Sequence, residues 1–364
     1  MKFSIQREEL LKPVQLIVGA VERRQTMPIL SNFLLRNVNG RLVITATDLE
    51  LEVSATIDIT PEGEPITIPG RKLLDICKSL PEGSDIKFSF HGEKVEIKSA
   101  KSRFSLATLA ANEFPLVDEI SVDQTISVDK DQLHSLIEDT SFAMAQQDVR
   151  YYLNGLMMEA EGGKLRTVAT DGHRLSMADT SLDDSVSDRQ VIVPKKAVQE
   201  FMRILSASTG NVELAFSQNH LQANFGDIRF VTKLIDGKFP DYQRVVPEGH
   251  QYIASIDREV LRSCLMRASI LSNEKYRGVR LGFSENLLKI QAHNPEQEEA
   301  EEELDISYSG PELEIGFNVS YLVDVLNTIK SSEVHFHLQD TNSSLLIVCP
   351  DMENRKYVVM PMRL

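Results

Sequence analysis

Phe3-Ser4-Ile5-Gln6-Arg7-Glu8-Glu9-Leu10 recurs as Ile126-Ser127-Val128-Asp129-Lys130-Asp131-Gln132-Leu133, and again as Ala254-Ser255-Ile256-Asp257-Arg258-Glu259-Val260-Leu261, at offsets of 123 and 128 residues. A second block keeps the same order. Ile68-Pro69-Gly70-Arg71-Lys72-Leu73-Leu74-Asp75-Ile76 returns as Val193-Pro194-Lys195-Lys196-Ala197-Val198-Gln199-Glu200-Phe201, then as Phe317-Asn318-Val319-Ser320-Tyr321-Leu322-Val323-Asp324-Val325. A third ends in Ala46-Thr47-Asp48, Ala169-Thr170-Asp171 and Ala292-His293-Asn294, and the closing strands carry Phe104, Phe230 and Tyr357. The period is far longer than the roughly 20–50 residues of a solenoid repeat, so a whole domain has been duplicated in tandem. Boundaries fall near 121–125 and 247–252, giving domains 1–122, 126–247 and 252–364.

Each block has a local reading. The first begins as a short strand, ends it on a polar or acidic residue, and turns into an amphipathic helix. Leu10, Val14, Ile17 and Val21 share one face at the helical period, as do Leu133, Ile137, Thr140 and Met144, and Leu261, Leu265 and Ala268. Asn39-Gly40 before an alternating run is a hairpin signal; Glu161-Gly162-Gly163 and Ser284-Glu285-Asn286 hold its place in the other copies. The second block is strand then helix, with Leu73, Ile76, Cys77 and Leu80 on one face and Pro81-Glu82-Gly83 as a stop. Each domain is therefore a strand–helix–strands unit written twice. The class is α+β, with two helices on antiparallel sheets in every copy.

Composition narrows the function. A net charge of −15 argues against a protein that coats nucleic acid through clustered Lys and Arg, though local basic surfaces remain open. Cys77, Cys264 and Cys349 form no metal or disulfide spacing, which points to a reducing compartment. No run nears the ~18 apolar residues of a membrane span, and the N-terminus turns polar too early for a signal peptide.

The sequence carries no phosphate loop, HExxH or nucleophile elbow. His335-Phe336-His337 alternates as a strand with both rings on one side; an ordinary strand face is the simple reading and a metal pair the sharp one. Thr170-Asp171-Gly172-His173-Arg174 follows a strand and contains glycine, so it reads as a turn or as the edge of a binding site. Glu296 to Asp305 holds seven carboxylates in ten residues. Two-metal sites draw carboxylates from separated strands, so a solvated run or one facing a basic partner is the better reading. Lys98, Lys101 and Arg103 are candidates for that partner.

Longer strings carry a resemblance. They include Ser102-Arg103-Phe104-Ser105-Leu106, Gln147 to Gly155, Val168 to Leu175, Asp236-Gly237-Lys238-Phe239-Pro240-Asp241-Tyr242, Ile270 to Lys275, Asn294 to Glu302, and Tyr357 to Leu364. Over essentially its whole length the chain resembles the bacterial DNA polymerase III beta subunits, the beta sliding clamps. Asp183–Asp188 and Cys349–Lys356 carry none of these strings and stay unassigned.

The resemblance implies three DNA-clamp domains per chain and a head-to-tail homodimer, six domains around a ring, with helices lining the hole. Phe104, Leu106, Ile270 and Leu271 would form the apolar part of the dimer contact. Lys72, Lys101 and Arg103 would face Glu296, Glu298, Glu299 and Glu302. Arg24, Gln147, Arg150, Tyr151, Tyr152 and Lys196 would face DNA. A pocket for short partner peptides would draw on Leu153, Thr170, Gly172, His173, Arg174, Leu175, Pro240, Arg244, Val245, Asn342, Ser344, Val358, Val359, Met360, Pro361, Met362 and Arg363.

The implied partners are a second copy, double-stranded DNA, the replicative polymerase alpha subunit, the clamp-loader delta subunit, and other polymerases, ligase and mismatch-repair proteins with short clamp-binding motifs. No cofactor, metal, membrane or catalytic role is implied, and the expected location is the cytoplasm, at the nucleoid during replication. Two other readings of the residues are a nuclease built on the acidic run and a repeat scaffold that binds only proteins.

Overall fold

The computed structural model describes residues 1–21, 27–118, 120–182, 186–247, 249 and 251–363. Arg24, residues 183–185 of the unassigned loop and Leu364 lie outside the described residues. Each repeat contributes eight strands and two helices in one order. The first is β1 (Lys2–Gln6), α1 (Arg7–Ile17), β2 (Asn32–Val38), β3 (Arg41–Thr47), β4 (Leu51–Ile57), β5 (Ile66–Pro69), α2 (Gly70–Ser79), β6 (Asp85–His91), β7 (Lys94–Ser99) and β8 (Ser102–Ala107). The second is β9 (Gln124–Asp129), α3 (Lys130–Ser141), β10 (Gly155–Glu161), β11 (Lys164–Thr170), β12 (Arg174–Ser181), β13 (Arg189–Pro194), α4 (Lys195–Ala207), β14 (Asn211–Phe216), β15 (His220–Phe225) and β16 (Ile228–Lys233). The third is β17 (Tyr252–Asp257), α5 (Arg258–Ser269), β18 (Gly278–Ser284), β19 (Leu287–His293), β20 (Glu299–Asp305), β21 (Leu313–Asn318), α6 (Val319–Thr328), β22 (Glu333–Leu338), β23 (Leu345–Cys349) and β24 (Met352–Val359).

The repeated sequence blocks have local causes. The residue that ends the opening strand is the helix N-cap. Asp129 Oδ1 accepts the backbone N–H groups of Asp131 and Gln132 at 2.9 and 3.0 Å, and Asp257 Oδ1 accepts that of Val260 at 2.8 Å. Gln6 makes no such bond in the first copy. Leu10, Val14 and Ile17 are fully buried along α1, but the chain tightens into a 3-10 turn at Val18, so Val21 is buried from outside the helix. Met144 likewise lies beyond the end of α3 and is buried. Asn39 and Gly40 have φ of 51° and 80°, the left-handed pair that a tight hairpin between β2 and β3 needs.

The chain forms two compact units, Met1–His134 with Lys196–Leu234, and Ser135–Lys195 with Ile235–Leu364. In the first, a four-stranded sheet runs β1-β6-β7-β8, and an eight-stranded sheet runs β5-β2-β3-β4-β16-β15-β14-β9. α1 packs on α2 and against β3 and β4. In the second unit, one sheet runs β20-β19-β18-β21 and the other β13-β10-β11-β12-β24-β23-β22-β17. α5 packs on α6 and against β19 and β20.

The two long sheets are made by one rule. The last strand of a repeat pairs, antiparallel, with the third sheet strand of the repeat before it. β16 joins β4 with Phe230 opposite Val53, and β24 joins β12 with Tyr357 opposite Ser176. Each junction adds a buried polar anchor. Arg355 Nε donates to Asp139 Oδ2 at 2.6 Å with both side chains 6% exposed. At the other junction Glu52, 4% exposed, accepts the Val117 N–H at 2.9 Å and Arg229 Nη1 at 3.2 Å.

Burial pushes the Glu52 carboxyl above its ordinary 4.5, and this outweighs the opposing pull of the Val117 N–H, Arg229 and Arg36. An acid with a raised folded pKa holds its proton more readily in the native state. Its contribution is fully present below the ordinary glutamate range and is lost as pH rises through the folded value. The wild-type chain should therefore lose stability relative to Glu52→Gln as pH rises from about 4 to about 8. Urea unfolding midpoints at one fixed protein concentration measure this; parallel curves for the two proteins would contradict it.

Candidate functional site

The turn between β11 and β12 is built by the Thr-Asp pair that ends the third sequence block. Thr170 Oγ1 donates to the Arg174 carbonyl at 2.6 Å and accepts the Gly172 N–H at 3.0 Å. Asp171 Oδ1 accepts the N–H groups of His173 and Arg174 at 2.9 and 3.0 Å. Gly172 takes φ 88°, the conformation that calls for glycine, and a Cβ there would lie 3.0 Å from the Arg150 guanidinium and have to displace it slightly. The turn is thus both a turn and the wall of a cavity.

That cavity has a volume of about 210 Å³. Leu153, Leu175 and Val358 form its buried floor, Pro240, Tyr242, Val245 and Met360 its apolar sides, and Arg150, Tyr152, Thr170, Gly172 and Arg174 the rest. Below the floor lie Met157, Val168, Ile192, Phe239 and Leu346. Val245 and Met360 stay about 40% exposed (39% and 41%), which leaves the sides open to a ligand.

Arg174 holds the cavity together. Its side chain is 11% exposed and reaches Asp171 at 3.2 Å, Asp324 of α6 at 2.5 Å and the Phe142 carbonyl at 3.1 Å. Its guanidinium carbon stands 4.7 Å from the Tyr321 ring centroid and 5.3 Å from that of Phe142. His173 stacks on Tyr321 at 6.2 Å, and its carbonyl accepts the Met360 N–H at 2.9 Å.

The remaining pocket candidates stand around this frame. Val359 alternates with Val358 and turns into the core of the third repeat, so its side chain does not line the cavity. Arg244 is 85% exposed and pairs with Asp241 at 2.8 Å. Asn342 lies in the β22–β23 loop, its N–H bonded to Asp340 Oδ1 at 2.8 Å, and Ser344 Oγ donates to Met360 Sδ at 3.0 Å. Met362 bonds through its N–H to the Gly316 carbonyl at 2.8 Å, with Pro361 before it and the exposed Arg363 after it.

Of the residues considered for DNA, Gln147 is exposed with φ 55°, and Tyr151 is 57% exposed beside the half-buried Tyr152. The two tyrosines sit on a 3-10 turn, not in a strand core. Arg150 forks onto Asp148 at 2.9 and 3.0 Å, and this hydrogen bonding draws the Asp148 carboxyl down to about 2. Lys196 pairs with Asp48.

The acidic run is mostly an edge strand. In β20, Glu299, Glu301, Glu303 and Asp305 point outward, Ala300 and Glu302 are half-buried, and Leu304 is buried. Glu298 precedes it, held by Asn294 at 2.6 Å, and Glu296 is exposed. Glu302 accepts both Arg267 nitrogens at 2.6 and 2.8 Å, while Glu301 pairs with Lys289 at 2.8 Å. Among the described residues, no group of three His, Cys, Asp or Glu is placed to hold a metal ion. In β8, Phe104 and Leu106 are half-buried while Arg103 and Ser105 are exposed; Lys98 and Arg103 both pair with Glu96. Lys72 and Lys101 are exposed, Ile270 is 76% exposed and Leu271 half-buried. His335 lies on β22, 2.9 Å from Glu333.

Models of the DNA polymerase III beta subunit match the chain three times: the N-terminal domain at residues 1–118, the central domain at 127–241 and the C-terminal domain at 243–363. The beta sliding clamp of Pseudomonas aeruginosa is 53% identical over 367 residues, and that of Escherichia coli 48% over 366, each match covering 100% of both chains. The crystal structure of the Pseudomonas aeruginosa subunit superimposes with a TM-score of 0.97 at 52% identity over 100% of both chains. A crystal structure of that clamp bound to griselimycin gives 0.96, and the Caulobacter crescentus subunit 0.95 at 38% identity, again over 100% of both chains.

The chain belongs to the DNA polymerase III beta subunit family. Its fold is three tandem domains of that family. Within this beta-subunit fold, sequence reasoning left Tyr242 out of the pocket and placed Arg150 and Tyr152 only against DNA. The Phe-Pro-Asp-Tyr string was the available signal for Tyr242. Its hydroxyl donates to Glu159 at 2.5 Å and accepts from Arg166 at 2.6 Å, so the phenol is anchored and its ring faces the cavity.

Lysine cannot replace Arg174, because one ammonium cannot span two carboxylates and a carbonyl while stacking on rings. Arg174→Lys should cost about 1–3 kcal/mol in urea unfolding at fixed protein concentration, since the Phe142 carbonyl and Asp324 lose their donors. Unchanged stability would show that the network carries no energy.

Proposed function

We propose that two copies of this sliding clamp close head to tail into a ring that encircles duplex DNA and tethers other proteins through the pocket under Arg174. The observation that carries the ring is the pair of edges left over by the strand-pairing rule. β16 and β24 each complete the preceding repeat, which leaves β8, the closing strand of the first repeat, and β20, the third sheet strand of the last, paired on one side only among the described residues. Identical chains satisfy both edges by pairing β8 of one with β20 of the other, twice.

The internal register carries over. Ala300 is opposite Ala292 as Val53 is opposite Ala46, so Phe104 of one chain meets Ala300 of the next on the inward face. Arg103 then faces Glu301, and Lys101 faces Glu303, on the outward side. Glu301 and Glu303 thus meet the basic residues more directly than Glu296, Glu298, Glu299 or Glu302, which border the contact. Phe104, Leu106, Ile270 and Leu271 supply its apolar part, with Lys72 at its margin. Opposed charges across strands contribute about 0.2–1 kcal/mol a pair, so the apolar residues dominate and the charges set the register.

This reading explains how a chain of charge −15 works on DNA. An encircling ring is retained by topology, and its contacts need only be weak and directed to phosphates, which carry no sequence information. Gln147, Arg150, Tyr151, Tyr152, Lys196 and Arg24 remain the candidates for those contacts. The role is that of a processivity factor with no catalysis of its own. The pocket suits short segments of the polymerase alpha subunit, the clamp-loader delta subunit, other polymerases, ligase and mismatch-repair proteins. The place of action is the cytoplasm, at the nucleoid.

Arg103→Glu should weaken dimerisation in sedimentation equilibrium by about 1 kcal/mol for each of the two contacts. Combining it with Glu301→Arg should restore the dimer; restoration by Glu299→Arg in its place would refute the register.

The ring itself is tested by loading the clamp onto nicked circular DNA, raising salt and linearising half the sample. Contact binding through 6–10 phosphates would weaken about 10³–10⁵-fold between 50 and 200 mM salt on either DNA. Retention on circles with rapid loss from linear DNA is expected; equal loss from both overturns the ring.

A further inference from the structure

The junction of the first and second repeats repeats the pocket's parts. Thr47 and Asp48 build the same turn: Thr47 Oγ1 donates to the Leu51 carbonyl at 2.9 Å, and Asp48 Oδ1 accepts the N–H groups of Glu50 and Leu51 at 3.0 and 2.7 Å. Phe114-Pro115 stands where Phe239-Pro240 does, Lys233 where Met360 does, and the β14–β15 turn with His220 where the β22–β23 loop does. Between them opens a cleft of about 630 Å³, three times the other cavity (about 210 Å³).

Its differences define a ligand. Leu49 takes the place of Gly172 and is held at φ 79°, a conformation leucine disfavours by roughly 1–2 kcal/mol. The strained turn presents a large apolar side chain, 41% exposed, at the cleft, where Leu116 is 39% exposed. Lys233 lines the cleft as well; its ammonium is linked to Glu50 at 3.3 Å with both side chains exposed, a weak surface pair that a ligand carboxylate can replace. His220 lines the same side of the sheet end, its ring pushed toward the neutral form by burial and Lys233. Asp118 and Asp123 also line the cleft, which disfavours a polyanion such as DNA.

We propose that this cleft is a second peptide site, which takes an extended protein segment carrying a large apolar residue next to an acidic one. The apolar residue packs on Leu49 and Leu116, and the carboxylate pairs with Lys233. The inference rests on the reading of the Arg174 cavity as a peptide pocket, whose parts it shares. A partner with two such segments gains avidity by holding both sites of one chain.

The test titrates the full-length dimer, labelled with ¹³C at Leu, Val and Met methyls, with acetyl-Ser-Ser-Leu-Glu-Ser-Ser-amide up to millimolar concentration. Saturable shifts of the Leu49 and Leu116 methyls are expected. Lys233→Glu should weaken that response about tenfold or more while leaving shifts at Leu175 and Val358 unchanged. Leu49→Gly should weaken it with the melting temperature unchanged or raised. Silent Leu49 and Leu116 methyls, indifference to Lys233→Glu, or an equal response to a ten-residue oligothymidylate each overturn the second site. Silent Leu175 and Val358 methyls beside a responding Leu49 would instead count against the Arg174 pocket.

Discussion

Everything in this molecule depends on backbone hydrogen bonds made between repeats rather than within them. A strand edge is a row of unmet donors and acceptors, and the closing strand of each repeat meets those of the repeat before it. The same act merges two half-sheets into one eight-stranded sheet and brings a Thr-Asp turn beside a chain terminus or a linker. Junctions, edges and clefts are therefore consequences of one pairing register. With three repeats the rule is used twice and leaves one edge of each kind, the condition for closing a ring from identical chains.

Duplication supplied equivalent sites, and divergence made them different. Leu175 and Val358 make the floor of one cleft apolar. At the other junction Glu52 stands at the position of Leu175 and is held by Arg229 and the Val117 N–H, and the cleft there is the larger one, lined by Asp118, Asp123, His220 and Lys233 as well as by Leu49 and Leu116. Gly172 relaxes one turn where Leu49 strains the other. Burying a carboxylate is costly unless it is paired, and the structure pairs each one it buries at these junctions, Asp139 with Arg355 and Glu52 with Arg229.

The charge pattern follows the same economy. An acidic chain does not seek DNA by bulk attraction, and a topological tether has no need to. Glu299, Glu301, Glu303 and Asp305 of β20 are outward on an edge, with Glu301 paired to Lys289, while the half-buried Glu302 is tied to Arg267. In the proposed ring, Glu301 and Glu303 are the carboxylates that meet a second copy. In that proposed ring, charge opposite the basic residues of β8 discriminates the right edge from others at little cost in affinity.

Much of the fold was legible in the residues alone. The repeats, the helix faces, the Asn-Gly hairpin and the polar or acidic residue between opening strand and helix are local, because each depends on spacing and on groups a few residues apart. The strand–helix–strands unit written twice per repeat follows from them. The tertiary structure decided what no local rule reaches. It turned Val359 away from the cavity while Val358 lines it, put Tyr242 and Arg150 on its walls, ended α1 before Val21, and tied Glu302 to Arg267. Apart from the local 3-10 turn that ends α1, the reason is distance along the chain: the cavity is assembled from residues as far apart as Arg150, Tyr242 and Val358, and a sheet register that reverses side-chain direction at every residue can be set only when the strands meet.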